Sequence, residues 1–411
     1  MLKIISLIIG LLAYVSVFSQ NIKNSDIDSL KTILLKKDYL FHHISKKEFT
    51  KKIDLLNNKS FKKDSFYWEL STLLTQFKDP NLRIFNNKFD HFPFEVKRFK
   101  SGVFITKIDI NFEHVLGYKL IGINNNSIKK IINKIQKTTN LNPDEFLNNK
   151  PLFSYLNTHN EASVTLELLS DNQKKEIITI PLNEEVDMDN LIELIPDKIP
   201  FFKQKSDRWF WSYGINYGQQ LYVKYNTLLS KEYFNKMKDS LLWTEKICAK
   251  KHAMGLQRIY DAPSIDDFHN KVILKFDNKR YKKLFIDFRN NKKGHVWVTK
   301  KIINSIKNHR RLKRKKRVYL LLDKSISSAT INTILEFQKH TKAVLVGEKV
   351  FGTINNSNDI TIINFPKSQF KISFPNKQFK KTTLNPCIYI EQTIHNYKNG
   401  IDPILQKALD N

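Results

Sequence analysis

The stretch that decides the fold runs from Val318 to Gly352 and reads VYLLLDKSISSATINTILEFQKHTKAVLVGEKVFG. An apolar run, Val318–Leu322, is followed by a short turn and then by the serine pair Ser327 and Ser328. Behind the serines, apolar residues recur at helical spacing, and a second apolar run ends at Gly347. The order strand, serine, helix, strand predicts two parallel strands joined by a helix, as in an α/β fold.

The serine pair lies where the helix is predicted to begin. A helix N-terminus presents backbone N–H groups and the positive end of the helix dipole, and both favour negative charge. An enzyme that transfers acyl groups places its nucleophile and its oxyanion site in such surroundings. The simpler interpretation is that Ser327 or Ser328 only caps the helix, and the segment by itself favours this interpretation.

The beginning of the chain has the pattern of a secretory signal, which we place at residues 1–19. Lys3 supplies the positive charge, Ile4–Val17 the apolar core, and Ser19 precedes the expected cleavage. The apolar core is too short to span a membrane comfortably, and no later segment is long and apolar enough. No cysteine follows the signal, so we expect no lipid anchor. The prediction is an exported protein without a transmembrane anchor, either periplasmic or secreted.

The chain has 411 residues and a formal net charge of +29 at pH 7, with its densest basic run, HRRLKRKKR, at His309–Arg317. Such a charge can indicate nucleic acid or an anionic polymer as a partner. No aromatic residues lie within the run to stack on bases, so a solvated loop is favoured and no nucleic acid is expected. Cys248 and Cys387 do not make a disulfide scaffold, and the sequence leaves their pairing open. Neither a metal-ligand spacing nor a nucleotide-binding loop occurs, so no cofactor is expected.

The remaining chain divides into three predicted regions. Residues 20–92 are predicted to be helical, with Ser45 and Glu48 in a capping-box pattern. Residues 93–185 are rich in predicted strands, and two interpretations fit them equally: an ordinary β-rich insert, or a PDZ-like module that adds a peptide to a sheet edge. Residues 200–411 alternate strands with helices. Within them, the aromatic cluster Trp209, Phe210, Trp211 and Tyr213 favours a core position over a substrate groove.

Four segments, taken together and in order, carry a family resemblance. They are FKDPNLRI at Phe77–Ile84, DFRNNKKG at Asp287–Gly294, the serine helix with its following strand at Ser327–Glu348, and Tyr389–Leu405, which contains a Gly-x-Asp sequence at Gly400–Asp402. They are similar to the Gly-Asp-Ala-His-Thr segment, the Asp-Leu-Arg-Asn-Asn-Gly-Gly-Gly loop, the nucleophile helix and the closing Gly-x-Asp segment of the tail-specific, or C-terminal processing, serine peptidases. The resemblance covers nearly the whole mature chain and points to an exported bacterial subgroup with a PDZ-like insert.

The resemblance implies an α/β fold with a crotonase-like (ClpP/crotonase) catalytic domain, a helical N-terminal segment and a PDZ-like β-rich insert. Carried over by position, Ser328 is the nucleophile that attacks a peptide carbonyl and forms an acyl-enzyme. Ala329 supplies one oxyanion N–H, and the loop at Lys293 and Gly294 supplies the other. The implied partner is a peptide or an unfolded protein substrate, whereas the oligomeric state stays open.

The chain departs from the family pattern where the base and the oxyanion loop are expected. Thr353 replaces the subgroup's lysine, and Asn81 replaces the family's histidine. Neither side chain can accept the serine proton near neutral pH. Two loop glycines have become Lys292 and Lys293, which removes the conformational freedom of glycine there. Cys387 stands where the family commonly has Asp.

Lys349 and His295 are the candidate replacement bases, since one lies near the lost lysine and the other beside the oxyanion loop. A solvated loop lysine and a half-buried polar residue are the competing interpretations. Two functions therefore stay open: a serine peptidase acting through Ser328, and an inactive pseudo-peptidase that binds peptides. A third, a binding protein for anionic polymers, rests on charge alone.

Overall fold

The computed structural model describes residues 25–58, 63–79, 81–86, 92–139, 163–182, 188–215, 217–236, 262–278, 280–291, 294–308, 316–354, 360–365, 370–377 and 380–411. The predicted signal at residues 1–19, Cys248, Lys292, Lys293 and most of the basic run lie outside the described residues. None of the helices in the described ranges is both long enough and apolar enough to cross a membrane.

The α-helices of the described residues are α1 (25–35), α2 (Lys46–Asn57), α3 (Lys63–Thr75), α4 (Ile128–Thr138), α5 (231–236), α6 (Ile265–Asp277), α7 (Lys300–Asn308), α8 (Ser328–His340), α9 (Ile394–Lys398) and α10 (Pro403–Asp410). Short 3-10 helical turns occupy Asp38–Leu40, Ile110–Val115, Met188–Asn190, Phe201–Lys203 and Val296–Thr299.

The strands are β1 (Arg83–Asn86), β2 (Phe94–Phe99), β3 (Gly102–Asp109), β4 (Lys119–Ile123), β5 (Asn126–Ser127), β6 (Ser163–Leu169), β7 (Lys175–Pro181), β8 (Leu191–Glu193), β9 (Phe210–Ile215), β10 (Gln220–Tyr225), β11 (Lys283–Asp287), β12 (Arg317–Leu322), β13 (Val344–Gly347), β14 (Val350–Ile354), β15 (Ile360–Phe365), β16 (Phe370–Pro375), β17 (Lys380–Leu384) and β18 (Ile388–Tyr389). Helices and several sheets therefore alternate along one chain, and the predicted mixed α/β class is confirmed.

The chain forms two compact units. The first contains residues 1–194 and 359–379, and the second contains residues 195–358 and 380–411. The returning segment 359–379 supplies β15 and β16, which pair antiparallel with each other, while β16 also pairs with β1. A segment late in the sequence is thus built into the first unit, a placement that no local pattern in the sequence indicates.

The N-terminal part of the first unit is a helical layer with an aromatic core. Ser45 accepts a hydrogen bond from the Glu48 N–H and begins α2, as the capping-box pattern predicts. Phe41, Phe49 and Phe77 meet edge to face, with ring centroids 5.2–5.7 Å apart. These contacts combine large buried area with favourable ring geometry, so they hold α2 against the chain that precedes it and the turn that follows α3.

The β-rich part of the first unit is an antiparallel sheet with strand order β2-β3-β4-β6-β7, extended by β5 and β8. Its β6–β7 hairpin pairs Ser163 with Pro181 and Leu169 with Lys175. Alternate residues of β6 point into a core that also takes one face of α4, because side chains of a strand alternate between the two faces of the sheet. Ser127 caps α4 through the Lys130 N–H.

The second unit is built on a six-stranded sheet of order β18-β13-β12-β11-β10-β9. The pairs from β10 to β18 are parallel, and only β9 runs antiparallel to its neighbour within this sheet. The predicted parallel pairing of the strands that flank the serine helix is confirmed, since Leu320 lies opposite Leu345. Parallel strands need a crossover, and α8 supplies it.

Both faces of this sheet are covered. One face packs against α6, α7 and α8, and the other packs against α10 and the turn Phe201–Lys203. This explains why β11 and β12 read as almost continuous apolar runs rather than as alternating ones. The aromatic cluster divides between the faces: Phe210 and Trp211 are buried on opposite sides, whereas Tyr213 is 53% exposed and does not belong to the core.

Candidate active site

The serine turn connects the end of β12 with the start of α8. Ser327 has extended backbone geometry and caps the helix, because its hydroxyl accepts the Thr330 N–H at 3.4 Å. The same hydroxyl lies 3.1 Å from the Thr330 hydroxyl. Ser328 is therefore the first helical residue. The capping role that the sequence left open between the two serines belongs to Ser327.

Ser328 and Ala329 are both half-buried in the first turn of α8. The first N–H groups of an α-helix have no partner within the helix, so the Ala329 N–H is available to an anion placed at this end. Within the described part of the chain, no side chain hydrogen-bonds the Ser328 hydroxyl. The hydroxyl is thus committed neither to capping nor to another described side chain.

The loop after β11 holds the start of the serine helix. The Asn291 backbone carbonyl accepts the Ser327 N–H at 2.9 Å and the Thr330 hydroxyl at 3.4 Å. The Asn291 side chain is fully buried and donates to the Tyr225 carbonyl at 3.1 Å. The structure therefore brings together two of the segments that carry the resemblance, the Asp287–Gly294 loop and the Ser327–Glu348 helix and strand.

A buried ionic cluster lies under the same loop. The Arg289 guanidinium donates to Asp287 through Nε and Nη2, at 2.5–3.1 Å, and to both oxygens of Asp402, at 2.6 and 2.8 Å. It also lies 4.1 Å from the centre of the Phe202 ring. Burial by itself raises the pKa of Asp287, but the charges of Arg289 and Lys224 outweigh it and hold that pKa below its ordinary value. The cluster joins the loop segment to the closing Gly-x-Asp segment.

Lys224 is a second buried cation in the cluster, 1% exposed in the middle of β10. Its Nζ donates to the Arg289 carbonyl at 2.5 Å and to the Tyr225 carbonyl at 3.3 Å, and it lies 3.8 Å from Asp287. Burial lowers the pKa of Lys224, and the negative charge of Asp287 opposes that shift. Tyr222 completes the set by donating to Asp287 at 2.6 Å.

Gly294 marks the far end of the oxyanion loop. Its φ is +128°, and a Cβ there would lie 2.2 Å from the Leu228 carbonyl carbon and oxygen. Gly294 forms a parallel bridge with Leu228, and the His295 N–H donates to the Leu228 carbonyl at 3.0 Å. Only glycine fits this close approach. The structure thus fixes both ends of the loop, at Asn291 and Gly294, whereas Lys292 and Lys293 lie outside the described residues.

His295, one candidate base, caps the turn Val296–Thr299. Its Nδ1 accepts the Trp297 N–H at 3.4 Å, and its ring lies beside the stacked pair Tyr233 and Trp297, at centroid distances of 6.5 and 6.0 Å. Burial, followed by the charges of Lys236 and Lys300, lowers the pKa of His295. A neutral histidine that accepts at Nδ1 carries its proton on Nε2. In this arrangement Nδ1 is engaged with its own turn, so action as a base requires that His295 release the Trp297 N–H.

Lys349, the other candidate base, is exposed and immediately precedes β14. Its ammonium lies 4.9 Å from the centre of the Phe351 ring. Thr353 lies in β14, where its backbone pairs with Lys381.

Asn81 belongs to the first unit. Its N–H donates to the Asp79 carboxylate at 2.8 Å, and its carbonyl accepts the Ser373 hydroxyl at 2.5 Å. These contacts tie Asn81 to its own turn and to β16, which is a structural role within that unit.

Gly347 ends β13 and approaches β12 closely. Its φ is +131°, and a Cβ there would lie 2.1 Å from the Leu322 carbonyl oxygen, the last carbonyl before the serine turn. We expect Gly347→Ala to lower the free energy of unfolding by about 2–4 kcal/mol, because backbone strain and a clash with backbone act together. Gly214→Ala is the matched control, since Gly214 has ordinary φ and its nearest neighbour is the Tyr281 hydroxyl at 3.1 Å. Urea unfolding followed by circular dichroism measures both, and a loss below about 1 kcal/mol in Gly347→Ala would contradict the strain argument.

Sequence reasoning missed the buried cluster of Lys224, Tyr222, Asp402 and the Asn291 side chain. One signal was present: the strand LYVKY at Leu221–Tyr225 has a lysine among residues that are otherwise apolar or aromatic. A charged residue inside a fully covered strand needs buried partners. The residues in the described ranges contain no group of three or more His, Cys, Asp or Glu side chains arranged to hold a metal ion.

No protein-family model and no curated protein match this chain. Solved structures do match it over nearly its full length. Mature CPAF complexed with lactacystin superimposes with a TM-score of 0.59 at 10% identity, covering 96% of this chain and 97% of CPAF. The s499a mutant of CPAF superimposes with a TM-score of 0.57 at 10% identity, covering 95% of this chain and 97% of the mutant. The photosystem II D1 C-terminal processing protease gives a TM-score of 0.40 at 8% identity, covering 92% of this chain and 98% of the protease.

Identities near 10% show a shared fold and leave the activity to be argued from the residues. The match to CPAF covers 96% of this chain, so it includes residues of both units. The chain has the fold of mature CPAF, and its recognition from four sequence segments as a tail-specific-protease-like protein is confirmed at the level of that fold.

Proposed function

We propose that this chain is an exported serine peptidase of the tail-specific type, which cleaves unfolded or C-terminal peptide segments through Ser328. One observation carries the proposal. Ser327 makes the helix cap, so Ser328 stands as the first residue of α8 with its hydroxyl uncommitted to capping. A hydroxyl at that position lies beside N–H groups that favour the negative charge of a tetrahedral intermediate.

The proposed reaction begins when the Ser328 Oγ attacks the peptide carbonyl carbon. The carbonyl oxygen becomes an oxyanion, which the backbone N–H groups of Ala329 and Gly294 stabilise. The serine proton passes through a base to the leaving amine, the acyl-enzyme forms, and water then releases the acid product. Lys349 and His295 are the candidates for the base.

The finer architecture follows from the same proposal. Residues 200–411 supply a crotonase-like catalytic domain, residues 20–92 a helical segment, and residues 93–185 a PDZ-like module that receives the peptide. The mainly parallel sheet, covered on both faces, supports the first assignment, and the antiparallel sheet with its capped helix α4 supports the last. The proposed location is the periplasm or the cell exterior, with residues 1–19 as the signal. The partner is a peptide or an unfolded protein rather than nucleic acid.

A second function, a pseudo-peptidase that binds peptides without cleaving them, is favoured by a different observation. His295 accepts at Nδ1, Lys349 is exposed, and no described side chain reaches the Ser328 hydroxyl. Without a base, a serine hydroxyl is a weak nucleophile at neutral pH. The peptide-binding surface and the fold are the same in both proposals, so only chemistry at Ser328 separates them.

Covalent labelling separates the two functions. The mature chain, residues 20–411, is treated with a fluorophosphonate probe and digested, and the adduct is located by mass spectrometry. A peptidase is expected to carry the adduct on Ser328 and not on Ser325 or Ser327, which share the turn, and to hydrolyse an unfolded protein substrate. Absence of both adduct and hydrolysis in a folded preparation that still binds the unfolded substrate would establish the pseudo-peptidase.

A further inference from the structure

Asp402 is buried far from Ser328 in the sequence but is linked to it through a short series of contacts. Its carboxylate accepts two hydrogen bonds from Arg289, at 2.6 and 2.8 Å, and also caps α10 by accepting the Leu405 N–H at 3.0 Å. One carboxylate therefore ties the last helix of the chain to the loop after β11. Its exposure is only 9%, so water does not compete effectively for these bonds.

The next link runs from Arg289 to the serine turn. Arg289 is fixed by Asp287, which binds both its guanidinium and its backbone N–H, and the Lys224 ammonium holds its carbonyl. Two residues further on, the Asn291 carbonyl accepts the Ser327 N–H. Because Arg289 is held at its side chain, N–H and carbonyl, the position of the Asn291 carbonyl follows from it.

A second connection between the loop and the serine turn begins at Asn290. Its N–H donates to both oxygens of Asp323, at 3.2 and 3.3 Å, and Asp323 also accepts the Ser325 N–H at 3.1 Å. The serine turn is thus fixed to the Asp287–Asn291 loop near both of its ends, at Asp323 and at Ser327. Movement of the loop would move the first turn of α8 with it.

The segment that leads into Asp402, residues 398–401, is held by close backbone contacts. Gly400 has φ +64°, and a Cβ there would lie 1.7 Å from the Lys198 carbonyl oxygen. The Asp197 N–H donates to the Lys398 carbonyl at 2.7 Å. Both contacts hold the chain that leads into Asp402 against Asp197 and Lys198, so the Asp402 carboxylate meets Arg289 from backbone that has little freedom.

We propose that Asp402 is a positioning residue for the serine turn, which it holds through Arg289 and the Asn291 carbonyl. The docked C-terminal segment is then a requirement for an ordered Ser328, so the nucleophile is set in place only after the last residues of the chain have packed. The positioning of the turn stands on the contacts alone, whereas its consequence for turnover rests on the proposed peptidase function.

Hydrogen exchange of Asp402→Asn tests this proposal. Asparagine is nearly the same shape and still caps a helix, so the change removes mainly the charge that Arg289 binds. Exchange is expected to accelerate about tenfold or more in peptides covering 323–331, whereas peptides from α6 keep their wild-type rates. Asp410→Asn, which removes the same charge from the exposed end of α10, is expected to leave hydrogen exchange unchanged both at 323–331 and in α6.

Two exchange results would overturn the proposal: unchanged exchange at 323–331, or equal acceleration there and in α6, which would make Asp402 a general stabilising residue. Should Asp402→Asn fail to fold, Asp402→Glu is measured under the same criteria, because it keeps the charge and displaces the carboxylate.

Kinetics supply a second readout if the wild type hydrolyses peptides. Asp402→Asn is then expected to lower kcat about 10- to 100-fold and leave KM within about threefold, because a misplaced nucleophile affects the reaction more than substrate binding. A raised KM at unchanged kcat would contradict positioning. If the wild type shows no hydrolysis, the peptidase proposal fails while the exchange experiment still decides the role of Asp402.

Discussion

Replacing Ser328 by alanine is expected to abolish peptide hydrolysis, with a fall in kcat/KM of at least about 1,000-fold. Under the proposed mechanism alanine removes the oxygen that forms the acyl bond, and the two neighbouring serines of the turn are already engaged. Ser327 is occupied as the helix cap, and Ser325 donates to Asp323 at 2.8 Å. The measurement is hydrolysis of an unfolded protein by the mature chain, with wild type and variant at equal concentration.

Ser327→Ala is the matched control, since it changes the neighbouring serine and leaves the Ser327 N–H bond to Asn291 intact. Loss of the cap is expected to lower the free energy of unfolding by about 1 kcal/mol while hydrolysis stays within about tenfold of wild type. Ser328→Ala is expected to show the reverse, unchanged stability and no hydrolysis. If Ser328→Ala kept wild-type hydrolysis, Ser328 would not be the nucleophile, and the activity would have to come from another group.

Replacing Arg289 by methionine is expected to lower the free energy of unfolding by about 3–5 kcal/mol. Arg289 is 2% exposed and is shared by Asp287, which is fully buried, and Asp402, which is 9% exposed. Methionine fills much of the volume but leaves both carboxylates without the guanidinium that binds them. A buried charge that loses its partner costs far more than the pair contributes when complete. Urea unfolding monitored by circular dichroism gives the difference.

The stability that Arg289→Met loses should depend on pH in a defined direction. In the wild type the pKa of Asp287 is held below its ordinary value, so its contribution to stability is present above about pH 3.9, the unfolded pKa, and is lost as pH falls through the folded pKa. In Arg289→Met the Asp287 carboxylate loses its guanidinium partner and protonation relieves the uncompensated charge, so the loss of stability should shrink as pH is lowered.

Arg317→Met is the control for Arg289→Met, because Arg317 is exposed at the start of β12 and should change stability by no more than about 0.5 kcal/mol. Equal losses in the two variants, or an Arg289→Met loss that grows at acid pH, would show that the ionic cluster does not stabilise the fold in this way.

The sequence alone was sufficient for the elements around the serine. The apolar run Val318–Leu322, the serine pair and the run ending at Gly347 gave a strand, a helix and a parallel strand, because hydrophobic periodicity and turn residues are local signals. The same holds for Ser45, which caps α2 as its capping-box pattern predicts. Local chemistry is enough to predict such features.

Tertiary structure decided what the local pattern left open. By residue type, either serine can cap the helix. Only the folded backbone shows that Ser327 is the cap and Ser328 the first helical residue. The roles of Asn291, Lys224 and Asp402 depend on contacts between residues that are distant in sequence, such as Arg289 with Asp402. A sequence lists the charges, but it does not state which of them will be buried together.

The sequence by itself determined the mixed α/β class and the resemblance to tail-specific peptidases, and that resemblance predicts that Thr353 and Asn81 replace the family's lysine and histidine. These are properties of residue type, order and period. Only the tertiary structure decided that residues 359–379 return to the first unit, that His295 uses its Nδ1 to cap a turn, and that Asp402 reaches the serine turn through Arg289. The physical reason is that long-range pairing is selected by the burial of charge and apolar area over the whole fold, which no local window of sequence contains.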